Sequence, residues 1–192
     1  MTILIGLAGP ACVGKSTTAK KLVSILRQHD LMACNYAFAE PIYDLGQSIT
    51  EIPKDILRDQ SFKEKQWTED NAPLPCLTGW SPRKLLQKIG TECFRDQINY
   101  NFWVELAIKK VANYDIAIFE DARFENEYKN CDLVIELERD GVKYAMNHPS
   151  AMPPDPIYIW KKIKINSSYD FNLLCYNILE ELKLRGKNVL QK

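Results

Sequence analysis

Apolar residues fall in short, separated blocks along this chain, and the spacing inside each block sets the element it predicts. Ile3 to Ala8 (ILIGLA) is apolar throughout, the pattern of a strand buried on both faces. From Lys15 to His29, Ala19, Leu22, Val23, Ile25 and Leu26 form one stripe at helical spacing. Ala33 to Ala39 predicts a second strand. Glu40 to Thr50 predicts a helix, with Pro41 in its first turn, where a missing N–H costs nothing. Residues 52 to 81 are polar and broken by Pro53, Pro73, Pro75 and Gly79, and Pro82 follows, so an irregular insert with one short helix at most is expected there.

The second half repeats the alternation. Arg83 to Gln97 and Phe102 to Ala112 carry helical stripes, the first with Gly90 inside it. Asp115 to Phe119 and Asp132 to Glu138 read as short buried strands. A loop with proline and methionine runs from 140 to 157. Lys162 to Asn166 alternates as an edge strand, and Phe171 to Arg185 closes the chain as an amphipathic helix. Strands alternating with helices predict an α/β fold, a three-layer sandwich on a parallel central sheet of about five strands. The length, 192 residues, fits one domain, with 52–81 as an insert and 140–157 as a lid-like loop.

Charge and cysteine usage narrow the chemistry. Lys plus Arg equals Asp plus Glu at 25 each, so no basic surplus calls for a nucleic-acid polymer or an anionic membrane as partner. No apolar run approaches the roughly 18 residues of a spanning helix, and no secretory signal is read at the start. The six cysteines form no C-x-x-C pair, and the two histidines stand apart from them, which favours reduced thiols in the cytoplasm over disulfides or zinc.

One motif carries chemistry outright. Gly9-Pro10-Ala11-Cys12-Val13-Gly14-Lys15-Ser16 fits G-x-x-x-x-G-K-[ST], between a predicted strand and a predicted helix. Such a loop curls its backbone so that the N–H groups of Ala11, Cys12, Val13, Gly14, Lys15, Ser16 and Thr17 face the phosphates of ATP. Lys15 would reach the β- and γ-phosphates, and Ser16 would offer its hydroxyl to Mg²⁺. Farther on, the strand IAIF runs into Glu120-Asp121. A carboxylate at a parallel strand's end faces the ligand crevice, and Asp121 would hold a Mg²⁺-bound water. The plain alternative is that Asp121 caps a helix starting near Ala122. Arg123 would pair with a phosphate through its planar fork. No N-K-x-D motif is present to read a guanine base.

FAEPIYDL (38–45), RKLLQKIGTECFRD (83–96), FWVEL (102–106), EDARFENE (120–127), ELERDG (136–141) and NHPS (147–150) follow in order around the P-loop. Together they resemble the deoxynucleoside monophosphate kinases of large DNA bacteriophages, from residue 3 to about 182. The resemblance implies transfer of the ATP γ-phosphoryl group to a deoxynucleoside monophosphate. By position it implies that Phe38 and Ala39 line the monophosphate site and that Arg83 or Lys84 meets its phosphate. It further implies Gly90 and Thr91 against the bound nucleotide, Trp103 as a wall for base or sugar, and Asp121, Arg123 and Glu127 flanking the acceptor. Arg139 would lie near the donor nucleotide. Lys15, Asp121 and Arg123 would be the catalytic set.

This chain departs from that pattern in three places. The P-loop reads GKST where many relatives read GKDT, Tyr43 stands where relatives often carry lysine, and Ala151 stands where an acid would follow H-P-S. The implied partners are small-molecule nucleotides, in the host cytoplasm if the source is viral, with a monomer and a homodimer both open. Two other readings stand beside this one: a P-loop kinase for an alcohol acceptor such as a sugar acid or dephospho-coenzyme A, with Asp121 as general base, and a nucleotide-binding module without turnover.

Overall fold

The structure is a computed structural model that describes residues 2–144, 152–166 and 169–186. Five parallel strands form one sheet in the order β2-β3-β1-β4-β5: β1 (Ile3–Ala8), β2 (Ala33–Tyr36), β3 (Ile116–Phe119), β4 (Leu133–Glu138) and β5 (Lys161–Lys164). β1 lies in the middle, with Ile3 opposite Ile116 and Ala8 opposite Glu136. All six of its residues are buried, as a strand with neighbours on both sides and cover on both faces requires.

Side-chain alternation separates the two faces. Ile5, Leu7, Ile116, Ile118, Leu133, Ile135, Leu137 and Ile163 join one core with α1 (Lys15–Gln28) and α8 (Phe171–Leu184), through Leu22, Leu26, Ile178 and Leu182. On the opposite face Phe38 stacks on Phe119, ring centroids 4.1 Å apart. There Gly6 leaves room for the 121–131 segment: a Cβ on it would lie 3.0 Å from Cys131 Sγ and 3.3 Å from Ala122 Cβ. That segment includes the short α7 (Glu125–Lys129). The expected α/β architecture with a parallel five-stranded sheet is therefore the observed one.

β4 carries one buried acid among its apolar residues. Glu136, 4% exposed, accepts from Tyr144 OH at 2.9 Å and pairs with Lys162 Nζ at 2.8 Å. Lys162 is its register partner on β5, so the sheet itself brings the counter-ion. Local signals fix the helix ends. Asp170 caps α8 by accepting from the N–H groups of Asn172 and Leu173 at 2.9 and 3.1 Å.

The chain divides into two compact units, residues 1–38 with 106–192, and residues 39–105. The second holds α2 (Glu40–Thr50), α3 (Lys54–Arg58), α4 (Gln60–Glu64) and a 3₁₀ turn at Pro75–Leu77. It continues with α5 (Pro82–Gln87), a π-helix over Lys88–Arg95 and the start of α6 (Phe102–Val111).

The stretch 52–81 is more ordered than its polar composition predicts. Asp59 caps α4 through Phe62 N at 2.8 Å, and Leu57, Trp67 and Leu77 are buried anchors. Trp67 also exchanges backbone hydrogen bonds with Gly79 and Trp80. The single helix expected over 83–97 is instead split at Lys88. Gly90 lets this segment press against α2, where an added Cβ would sit 2.8 Å from Ile42 Cδ1. Its carbonyl is taken by Trp103 Nε1 at 2.7 Å rather than by the helix alone. The lid-like loop is described only at its two ends. Residues 145–151, with His148 and Ala151, lie outside the described residues.

Candidate functional site

The first unit brings the phosphate loop and the β3 end together. Three backbone positions let the loop curl: Gly9 at φ 138°, Cys12 at φ 61° and Gly14 at φ 109°. Gly9 is required twice over, since a Cβ there would also lie 2.6 Å from the Leu137 carbonyl oxygen on β4. Val13 is fully buried and pins the loop to the core, while Ala11, Cys12, Ser16 and Thr17 are exposed around it. Gly14 stands at the N-cap of α1 with no side chain to satisfy the first helical N–H groups, so these remain available to an anion.

Lys15 folds back over the loop. Its ammonium donates to the carbonyls of Gly9 and Pro10, both at 2.7 Å. Burial pulls its pKa down from 10.5 to about 8, and the neighbouring Arg123 charge pulls the same way. Asp121, Cys12 and Glu120 act in the opposite sense. The β3 end therefore lies electrostatically beside the loop, as the sequence predicts for Asp121 and Arg123. Two cations that disfavour each other at a phosphate-type loop form a natural seat for a polyanion.

Asp121 caps no helix, since α7 begins only at Glu125. Its Oδ1 accepts from the backbone N–H of Phe38 at 2.8 Å, tying the β3 end to the end of β2. Glu120 accepts from Asn35 Nδ2 at 3.2 Å. Glu127 is 2% exposed and not a solvated helix charge. Its Oε2 accepts from the N–H groups of Arg123 and Phe124 at 2.7 and 3.1 Å, fixing the turn that carries the arginine. Phe38 is 2% exposed and packed on Phe119, so its aromatic face serves the core. Ala39 is half-buried at the start of α2, and Arg139 is exposed just past β4.

The residues that the resemblance assigns to the acceptor lie mainly in the second unit. Arg83 pairs with Glu64, and the Lys84 ammonium sits 4.6 Å from the Trp80 ring centroid. Gly90 is packed on Ile42, Thr91 is half-buried on the π-helix, and Trp103, 1% exposed, is held among Phe94 and Phe102. In this structure Trp103 is a core residue that fixes the π-helix and offers no open face. Tyr43 has a role that sequence reasoning missed: Lys63 donates to its hydroxyl, and Arg58 lies over its ring. The signal was hidden because both cations come from a segment whose composition reads as irregular.

Among the described residues no group of three or more His, Cys, Asp or Glu side chains could hold a metal ion. This does not conflict with Mg²⁺, which keeps several waters and takes one or two protein oxygens plus phosphate oxygens. The exposed Ser16 hydroxyl and the Asp121 carboxylate are donors of that hard kind. No helix among the described residues is long and apolar enough to cross a membrane.

The chain matches no protein-family profile. It is 26% identical over 176 residues to the deoxynucleoside-5'-monophosphate kinase of Escherichia phage T5, an alignment covering 66% of this chain and 70% of that one. It is 25% identical over 203 residues to an Acanthamoeba polyphaga mimivirus protein named "Putative deoxynucleotide monophosphate kinase", covering 93% of this chain and 91% of that one. A crystal structure of an uncharacterized protein from Eubacterium ventriosum ATCC 27560 aligns over 96% of this chain and 100% of its own length, at a TM-score of 0.42 and 15% identity. The resemblance read from the sequence motifs thus recurs in two viral proteins that carry the same type of name.

Proposed function

We propose that this chain is a deoxynucleoside monophosphate kinase, which transfers the γ-phosphoryl group of ATP to a deoxynucleoside monophosphate and releases ADP and the diphosphate. The observation that carries the reading is the cluster of Lys15, Arg123 and Asp121 at the strand–loop–helix junction, in a chain similar over most of its length to two viral proteins so named.

A monophosphate carries about −1.5 to −2 charge at pH 7, so its oxygen attacks without a general base. The obstacle is repulsion between two polyanions, and the residues act on that. The loop N–H groups from Ala11 to Thr17 bind and orient the triphosphate. Lys15 leaves the Gly9 and Pro10 carbonyls for the β- and γ-phosphates. Arg123, held by Glu127, neutralises charge that develops between donor and acceptor. Ser16 and, through water, Asp121 would hold Mg²⁺, which would supply charge neutralisation for the transferring phosphoryl group. Arg83 or Lys84 would receive the acceptor phosphate, each giving up a present contact to do so. The proposed partners are small-molecule nucleotides, and the proposed setting is the cytoplasm, the host's if the source is viral.

An assay of ADP release with ATP against all four deoxy- and all four ribonucleoside monophosphates tests the reading. ADP release that depends on a deoxynucleoside monophosphate is the expected result. Release without dependence on any monophosphate, or ATP binding without transfer, would overturn it.

A further inference from the structure

Tyr43 on α2 gathers two cations from two other helices. The Lys63 ammonium on α4 donates to its hydroxyl at 2.5 Å and lies 5.0 Å from the ring centroid. The Arg58 guanidinium at the end of α3 lies 4.7 Å from the same centroid. All three residues belong to the second compact unit.

Among the described residues the carboxylates serve this pair unequally: Glu40 ion-pairs with Arg58, and none ion-pairs with Lys63. Glu40 pairs with Arg58 but also takes the Lys54 ammonium, at 2.8 Å. Asp44 is likewise engaged by Lys54, at 2.6 Å. Asp59 feels the Lys63 charge, yet its Oδ1 accepts from Ser61 Oγ and Phe62 N at 2.6 and 2.8 Å. Among the described residues the hydrogen-bond partner of Lys63 is a neutral phenol. Two like charges at one ring repel, and the ring's quadrupole offsets only part of that. A dianion would relieve both at once. A phosphate monoester has the matching form, with several acceptor oxygens for one planar fork and one point charge.

We propose that Arg58 and Lys63, positioned by Tyr43, bind the phosphate group of the acceptor nucleotide, in addition to the Arg83 or Lys84 contact proposed above. The inference rests on the function proposed above, and names which residues of the 52–81 segment serve it. Tyr43 is a positioning residue. It brings together cations that lie 15 and 20 residues away in sequence.

The test measures binding of each deoxynucleoside monophosphate, of inorganic phosphate and of the corresponding free nucleosides to the full chain without ATP, by titration calorimetry. It then measures KM for monophosphate and for ATP separately. Lys63→Ala and Arg58→Ala should each weaken monophosphate binding about tenfold or more, the size of one charge-assisted hydrogen bond. Nucleoside binding and the KM for ATP should stay within about twofold. Lys63→Arg should restore most of the loss, and Tyr43→Phe, which keeps the ring, should lose less than Lys63→Ala.

Variants that melt earlier but bind monophosphate as tightly as the wild type would show a merely structural cluster and overturn the proposal. So would equal losses for monophosphate and free nucleoside, or a wild-type chain that binds no monophosphate at all. Wild-type binding that follows this pattern without transfer to the monophosphate would sink the kinase reading and leave the anion site standing.

Discussion

Glu127 holds Arg123 by its backbone: the buried carboxylate accepts from the arginine's N–H at 2.7 Å and leaves the guanidinium to the outside. The same oxygen accepts from Phe124 N at 3.1 Å, so one side chain fixes the whole turn between β3 and α7. Glu127→Ala removes that acceptor and strands two N–H groups. A loss of about 1–3 kcal/mol follows, or several degrees of melting temperature for a chain of this size. Glu127→Gln keeps an acceptor oxygen and should melt close to the wild type, with transfer reduced because Arg123 is less firmly aimed. Thermal melts and steady-state kinetics on both variants check this. A fully active Glu127→Ala would remove Arg123 placement from the mechanism.

Much of the fold was legible because the strands are short, apolar and bounded by glycine and charge. ILIGLA could be little else than a central buried strand, and the glycine spacing behind it named the loop. What escaped was set by contacts distant in sequence. The break at Lys88 depends on Gly90 meeting Ile42 and on Trp103 reaching the Gly90 carbonyl. The order in 52–81 depends on Leu57, Trp67 and Leu77, three apolar residues diluted among polar ones. At the candidate site, the closeness of Lys15, Asp121 and Arg123 was legible from motif chemistry. A core place for Phe38 and Trp103 follows from an aromatic on a strand and on an amphipathic helix, but the burial of Glu127 was not legible, because it depends on neighbours that a local pattern does not name.

Lys15 gives a pH dependence with a definite sign. Its folded-state pKa, about 8, lies below its ordinary 10.5, so the fold favours the neutral amine. In the free protein the charged form costs stability below about pH 8, and that cost is relieved as pH climbs from about 8 toward 10.5. Triphosphate favours the ammonium, so binding in that window takes up a proton and affinity falls as pH rises through it. Calorimetry at pH 7 and pH 9, in buffers of different ionisation enthalpy, should show proton uptake only at the higher pH. Lys15→Ala should abolish the uptake and reduce transfer by a factor on the order of 10² or more.

Asp121 separates two kinds of acceptor. Its Oδ1 is committed to Phe38 N, which an asparagine oxygen could accept equally well. Asp121→Asn should therefore keep its melting temperature within about 2 °C, a shift under about 1 kcal/mol, and still lose most transfer activity. Asp121→Ala should lose stability as well, by about 1–3 kcal/mol for the orphaned N–H. With an already ionised monophosphate only the Mg²⁺-bound water is lost in Asp121→Asn, so raised Mg²⁺ should recover part of the transfer. A loss that raised Mg²⁺ leaves untouched would favour an alcohol acceptor, whose proton needs a base.

Gly9 should tolerate nothing larger. At φ 138° an alanine is strained, and its Cβ would lie 2.6 Å from a backbone oxygen of β4, which no side-chain motion can clear. Gly14, at φ 109°, has no atom within 4 Å of an added Cβ. Gly14→Ala should thus lose about 1–3 kcal/mol from backbone strain alone, and Gly9→Ala clearly more. Denaturant unfolding of the two variants side by side checks the order. Equal losses would mean that the close approach to Leu137 does not limit the loop.

Trp103 decides between a wall for the base and a strut for the fold. It is 1% exposed, its Nε1 donates to Gly90 O at 2.7 Å, and Phe94 and Phe102 lie 4.8 and 4.9 Å from it, ring to ring. Trp103→Phe keeps most of the apolar contact and removes the donor, leaving the Gly90 carbonyl short of a partner in the interior. A loss of about 1–3 kcal/mol in stability is expected, with the KM for monophosphate changed less than threefold. A base wall predicts the reverse: little change in melting, and a rise in KM that differs between purine and pyrimidine monophosphates. Measuring both quantities on the one variant settles which surface of the indole matters, because the strut acts through Nε1 and the wall would act through the ring face.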